Sequence, residues 1–373
     1  MTIDYLDSLT DRSAQLDEQK ADYRVRACDL TLNPNNGHLV LAANPLPYDD
    51  SEISRFGRIG AVRQTRELEL TDTATLQLHS KLGQAHFGRG SNKTLPTEYL
   101  GKFPNDLYAS ILNWTLGKSD GAWKIRACED SCRAVLDSGY PRIWNTEVLR
   151  QLRRALDKGL EGDYSTSGLN AQRSFVSADE LFIRLWWQGS GTGNYRIGIA
   201  IGNGEIGNRT FSGYPCVQRH SCENSIMTTQ ISTLTGQESS FRLVHYRGAS
   251  ANAMMIQFYA ALPGLIGASA VLINRMIEAE AIALPNFHQI LNGLAVEHGW
   301  KPDLLDRVQE GTEGQRTLAG VVNGISFAAH EYASLTEPER ASMELLSGDY
   351  LFAKPQDWTR LARQGEERKR IRA

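Results

Sequence analysis

Five cysteines in 373 residues are too few, and of the wrong parity, for a disulfide framework. Cys28, Cys128, Cys132, Cys216 and Cys222 suit a reduced, cytoplasmic protein. No run of 18 apolar residues occurs, so no membrane-crossing helix is expected. The longest apolar stretch, 259–274, is interrupted by Pro263 and by glycines. The first twenty residues are acidic and polar and lack the apolar centre of a signal peptide. Lysine is scarce, with 10 against 30 arginines. Arginine favours bidentate phosphate contacts and stacking, although a GC-rich coding bias is the simpler account of that ratio. The net charge of −3 does not mark a nucleic-acid binder, but a whole-chain sum hides local patches.

Ordinary catalytic signatures are missing too. Gly189 to Asn194 is glycine-rich, but it lacks the Gly-Lys-Ser/Thr ending of a phosphate loop and sits between two strand patterns. No Gly-x-Ser-x-Gly elbow occurs, and His330-Glu331 lacks a second metalloprotease histidine. Cys216, His220, Cys222, Cys128 and Cys132 match no common zinc spacing. No catalytic residue, metal or cofactor is therefore expected.

The patterning is that of an α+β protein of 41% hydrophobic residues. Residues 1–22 read as a peripheral N-terminal helix, 23–250 as an α+β core, 251–350 as a helical region and 351–373 as a basic tail. The core is expected to hold a central antiparallel sheet with helices on one face. In 23–43, Asn-Pro-Asn-Asn-Gly separates two strands, with Gly37 free to take positive φ. Helices are expected at 72–82, 96–116 and 146–158. Alternation in 123–128 and 132–136 predicts a β-hairpin. In 181–187, Leu181, Ile183, Leu185 and Trp187 share one strand face and Phe182, Arg184 and Trp186 the other. In 195–201, Gly198 and Ala200 leave a nearly bare face on which a helix of the same chain is expected. After 251 the pattern is helical, with helices expected at 251–261, 266–282, 286–298, 302–310, 315–333 and 337–347, punctuated by Asn252, Pro285 and Glu313-Gly314.

Basic and aromatic residues interleave on these strands, as in single-strand binders that combine a basic groove with stacking rings. Lys124, Arg126, Arg133, Arg184 and Arg196 are candidate nucleic-acid contacts on strands. Arg150, Arg153 and Arg154 are candidates on one helix face. Ordinary amphipathic strands with core tryptophans account for the same pattern.

Several segments in order resemble a phage- and plasmid-borne family catalogued as a domain of unknown function. They include residues 21–41, "LTDTATLQLHSKLG" at 70–83 and "WKIRACEDSCRAVLDSGYPRIWNTEVL" at 123–149. "IAIGNGEIGNRTF" resembles its Ile-x-Asn-Ser-Glu-x-Gly motif, and "RHSCENSI" its Cys-Thr-Asn-Gly motif. "TLAGVVNGISFAAHEY" and "ASMELLSGDYL" resemble its last helices, so the likeness spans about 23–350. The motifs mark Asn203, Glu205, Gly207, Cys222 and Asn224 as structural positions. Asn203 and Glu205 are expected to order a tight turn. The chain departs from the family at Gly204 and at Ser225, where a turn glycine is lost.

The resemblance implies a mobile-element protein, with a remote similarity to phage single-strand annealing recombinases. It implies single-stranded DNA as partner, strand annealing without enzymatic turnover, and a homo-oligomer of ring or filament form. The alternative is a protein-interaction module acting in host takeover or against host defence. That reading predicts no salt-dependent DNA binding.

Overall fold

The computed structural model describes residues 2–42, 59–60, 65–87, 104–119, 121–158, 169–170, 174–187, 194–219, 224–230, 240–243 and 250–372. The first half builds one sheet and the second half another, both within an α+β fold whose C-terminal part is helical.

Helix α1 (Thr2–Glu18) leads into β1 (Lys20–Arg26). Strands β2 (Leu30–Leu32), β3 (Leu39–Leu41), β4 (Ile59–Gly60) and β5 (Arg66–Leu70) follow. Gly37 turns the chain between β2 and β3 at φ 74°, as the Asn-Pro-Asn-Asn-Gly sequence requires. Thr71 accepts from the amide of Ala74 and starts α2 (Asp72–Phe87). Helix α3 (Asn105–Leu116) precedes the expected hairpin, β6 (Ala122–Cys128) and β7 (Ser131–Asp137). The expected helical start at 96 lies outside the described residues.

The first sheet has the order β2-β3-β5-β7-β6-β1-β4, antiparallel except at the β5/β7 and β1/β4 pairs. One face carries Tyr23, Val25, Leu68, Trp123 and Ile125 against Leu78, Leu82, Leu112 and Leu116 of α2 and α3. The alternate positions of β1 and β6 (Lys20, Asp22, Arg24, Lys124, Arg126) point to the opposite face, where charge replaces apolar packing.

Helix α4 (Asn145–Asp157) leads to short strands β8 (Leu169–Asn170) and β9 (Phe175–Val176). The second sheet follows: β10 (Glu180–Trp187), β11 (Tyr195–Gly204), β12 (Phe211–Arg219), β13 (Ser225–Met227) and β14 (Phe241–Leu243). Its order is β13-β12-β11-β10-β8, with β14 pairing β12 and β9 pairing β10. Leu181, Ile183, Leu185, Ile199 and Ile201 face the main core, as their alternation predicts. The other face is buried as well, with Phe182, Trp186, Ala200, Cys216 and Met227 packed on Ala341. The bare site at Gly198 is filled by Trp186 of the neighbouring strand rather than by a helix. A Cβ there would meet that ring at 2.2 Å.

Helices α5 (Ala251–Ala281), α6 (Phe287–Glu297), α7 (Pro302–Gly311), α8 (Leu318–Glu331), α9 (Glu337–Leu351) and α10 (Pro355–Arg372) complete the chain. Two helices expected on either side of Pro263 are one, capped by the Ser250 hydroxyl. Burial of Phe258, Leu262, Leu265 and Ile266 around the proline holds the helix together across its missing hydrogen bond. By length and composition α5 is apolar enough to cross a membrane, and 44% of that apolar window is buried inside the molecule. The N-terminal helix is not peripheral, because Leu6, Leu9 and Ser13 are buried and Tyr5 donates to the Ser174 carbonyl. The basic tail is helical too, anchored by buried Trp358 and Leu361.

Candidate nucleic-acid interface

A network of buried charge lies where the first sheet, the segment before α4 and the end of β11 converge. Glu205 is at its centre and has no exposed surface. Its Oε2 accepts from Arg142 Nε and Nη2 at 3.0 and 2.8 Å. Its Oε1 accepts from Lys20 Nζ at 3.1 Å and from the Asn145 amide at 2.8 Å. Arg142 also reaches Asp22 at 2.9 Å and lies 3.5 Å above the Trp144 ring. Asn203 donates to the Ile143 carbonyl and to Asn145 Oδ1. Thr146 donates to Asp17 at 2.6 Å.

Burial raises the Glu205 carboxyl, but Arg142, then Lys20 and the Asn145 amide, outweigh it and hold the group below its ordinary range. Asp22 is likewise pushed up by burial and pulled below its ordinary value by Arg142, Arg126 and Lys124. Asp17 is raised, because burial there exceeds the attraction of Lys20.

Asn203 and Glu205 are expected to order a tight turn through backbone hydrogen bonds, but their side chains bond to distant segments instead. They tie β11 to segments about sixty residues and more away in sequence. Gly207 takes φ 79°, and a Cβ on it would meet Leu136 and the Tyr140 hydroxyl. Asn224 directly precedes β13, and its carbonyl accepts from the Arg219 amide. Cys222 lies outside the described residues.

The eight candidate contacts fall into four groups. Arg126 and Arg184 are each 1% exposed and lie against Asp22 and Glu344, so no polymer phosphate reaches them. Their expected contact role is corrected by burial. Lys124, Arg133 and Arg153 are partly exposed but engaged. Lys124 donates to the Tyr140 carbonyl, Arg133 pairs with Asp179, and Arg153 pairs with Asp7 and Asp157. Arg153 thus leaves the face it was expected to share and turns toward α1. Arg196 is half-buried on β11. Arg150 and Arg154 are exposed and make no ion pair among the described residues.

Glu147, Gln151, Arg154 and Lys158 follow one another at three- and four-residue steps along α4, with Arg150 beside them. Lys158, just past the helix, is also exposed and makes no ion pair among the described residues. This face borders a groove of about 780 Å³ between α4 and the start of α5, lined by Arg142, Trp144, Gln151, Lys158, Asn252 and Tyr259. Ile256 and Tyr259 stand on its α5 wall, 70% and 41% exposed. Neither Tyr259 nor Lys158 was singled out from the sequence. Lys158 carried the signal, lying four residues beyond Arg154.

A second buried cluster gathers Ser225, His330, Glu344 and Arg184. Arg184 donates to Glu344 Oε2 at 2.9 and 2.7 Å. His330 Nε2 lies 2.9 Å from Glu344 Oε1, and the Ser225 hydroxyl donates to that same oxygen. In a catalytic triad the acid orients one imidazole nitrogen while the other activates the serine. Here Nε2 and the serine share one carboxylate oxygen within a closed interior, which is a structural arrangement.

Comparison with family models, with curated proteins and with solved structures finds no match for this chain.

Proposed function

We propose that the chain binds single-stranded nucleic acid along the α4–α5 groove. The observation that carries this reading is an exposed cationic face of α4, Arg150, Arg154 and Lys158, unpaired among the described residues, that meets an aromatic-lined groove at Lys158. Arg150, Arg154 and Lys158 take phosphates, and Tyr259 offers a ring on which a base stacks. Contacts to phosphate and to ring faces leave base edges free to pair, so strand annealing for a mobile element is the matching activity. No chemical step is required of the protein. The reading also follows the phage and plasmid resemblance.

The test is binding of a fluorescent single-stranded oligonucleotide across a salt titration, with a duplex control. Three phosphate contacts give a log–log slope of about −2, from roughly −0.7 per contact on single strands. The R150E/R154E/K158E variant should lose binding with an unchanged far-UV circular dichroism spectrum. Unchanged affinity in that variant, or no binding at low salt, overturns the reading. A protein partner is the second reading, favoured by the apolar surface of Ile256 on the same groove.

A further inference from the structure

Arg126 differs from the other enclosed arginines. Arg142 and Arg184 each place two nitrogens on a carboxylate within 3.0 Å. Arg126 reaches Asp22 only through Nε, at 3.4 Å. Its Nη1 and Nη2 are buried and meet no acceptor among the described residues. An arginine side chain that cannot lose its proton needs acceptors for all five N–H groups. The guanidinium lies 5.4 Å over the face of Tyr140, which supplies attraction but no lone pair along those bonds.

The surrounding charge is unbalanced in the same direction. The enclosed cations are Lys20, Arg126 and Arg142, and the enclosed carboxylates are Asp22 and Glu205. Lys124 adds a further cation acting on Asp22, and Asp17 sits at the edge with 19% of its side chain exposed. Two unpartnered donor groups in a positive, closed setting call for a small negative acceptor.

We infer that Arg126 Nη1 and Nη2 hold a small inorganic anion of the halide class, a constituent of the joint between the two sheets. Enclosure excludes a polymer phosphate, so this site is separate from the α4–α5 groove and does not depend on the nucleic-acid reading.

The test uses the full chain in sodium chloride and in sodium gluconate at equal ionic strength. The thermal midpoint should be higher in chloride, by roughly 2 °C or more for an occupied site. Arg126→Met should abolish the difference between the two salts. Crystals grown in bromide should show an anomalous peak in contact with Nη1 and Nη2, a readout that does not depend on the variant folding. Equal midpoints in the two salts overturn the inference. So does a chloride effect that persists in Arg126→Met, or an absence of bromide at Arg126, either of which leaves water as the acceptor.

Discussion

Replacing Glu205 by Gln tests whether the buried network holds the two sheets together. The change preserves shape and removes one charge. A glutamine oxygen turned toward Arg142 still accepts from Nε and Nη2, but its NH₂ group then faces Lys20 Nζ and the Asn145 amide. Donors meet donors there, and two enclosed cations each lose one of two carboxylate partners, Lys20 keeping Asp17 and Arg142 keeping Asp22. Breaking a buried pair on one side costs about 3–5 kcal/mol, and two unsatisfied donors at about 1–3 kcal/mol each give about 2–6 kcal/mol, which brackets it. Urea unfolding followed by far-UV circular dichroism reads the loss. The Glu205→Gln/Lys20→Met double variant should cost less than the sum of the single changes, because the ammonium that faces the glutamine NH₂ is gone. A loss under about 1 kcal/mol, or strict additivity, would refute the reasoning.

The same network sets an acid limit. Asp22 and Glu205 are held below their ordinary values of 3.8 and 4.5 in the folded chain. As pH falls through that range the unfolded chain takes up protons first, so stability present above it is lost. Asp17, raised in the folded chain, acts in the opposite sense and offsets part of the loss. Glu205→Gln should flatten the decline of stability below its ordinary value, measured as the urea midpoint against pH. Gly348→Ala should destabilise by about 2–3 kcal/mol, because its Cβ would stand 1.8 Å from the Met227 carbonyl and lift α9 from β13; an unchanged melting midpoint would count against that packing. Gly365→Ala puts a Cβ 1.9 Å from the Gln289 carbonyl and should loosen α10 from α6, read as faster tryptic cleavage within α10. Pro263→Ala, at an exposed position of α5, should stabilise by up to about 2 kcal/mol by restoring a donor to the Tyr259 carbonyl. A lowered midpoint would show that the ring is needed where it stands.

Periodicity made some features of the fold legible. Alternation gave the correct partners for each face of β10, and Val148, Leu149, Leu152 and Leu156 marked the buried side of α4. What alternation does not report is whether a face is covered. Arg184 sits among Phe182 and Trp186 in a pattern equally suited to a solvated or a ligand-bound face. Its partner Glu344 lies 160 residues away, on α9. Arg126 has the same history, since Asp22 is 104 residues distant. One signal was available at Glu205, a carboxylate closely following the apolar run Ile197–Ile201 of β11. Such a charge is enclosed only if cations meet it, and Lys20 and Arg142 do. Pro263 misled in the other direction, because tertiary burial outweighed a local break.

On the proposed reading, the partition of arginines between interior and surface also limits how tightly one copy would hold a strand. Of the eight cations expected to touch phosphate, Arg126 and Arg184 are enclosed and Arg133 and Arg153 are paired. The set without an ion pair among the described residues is Arg150, Arg154 and Lys158 on α4, of which Lys158 lines the groove. Three contacts confer weak, strongly salt-sensitive binding on a single chain. Useful affinity then requires several chains on one strand, so that later contacts form at high effective concentration. Affinity should accordingly rise steeply with oligonucleotide length, and binding to a long strand should be cooperative while binding to a strand that fills one groove is not. Fluorescence anisotropy over a length series measures this. Tight, non-cooperative binding of the shortest strand would mean that cations beyond this face contribute, and the footprint drawn from α4 would be wrong.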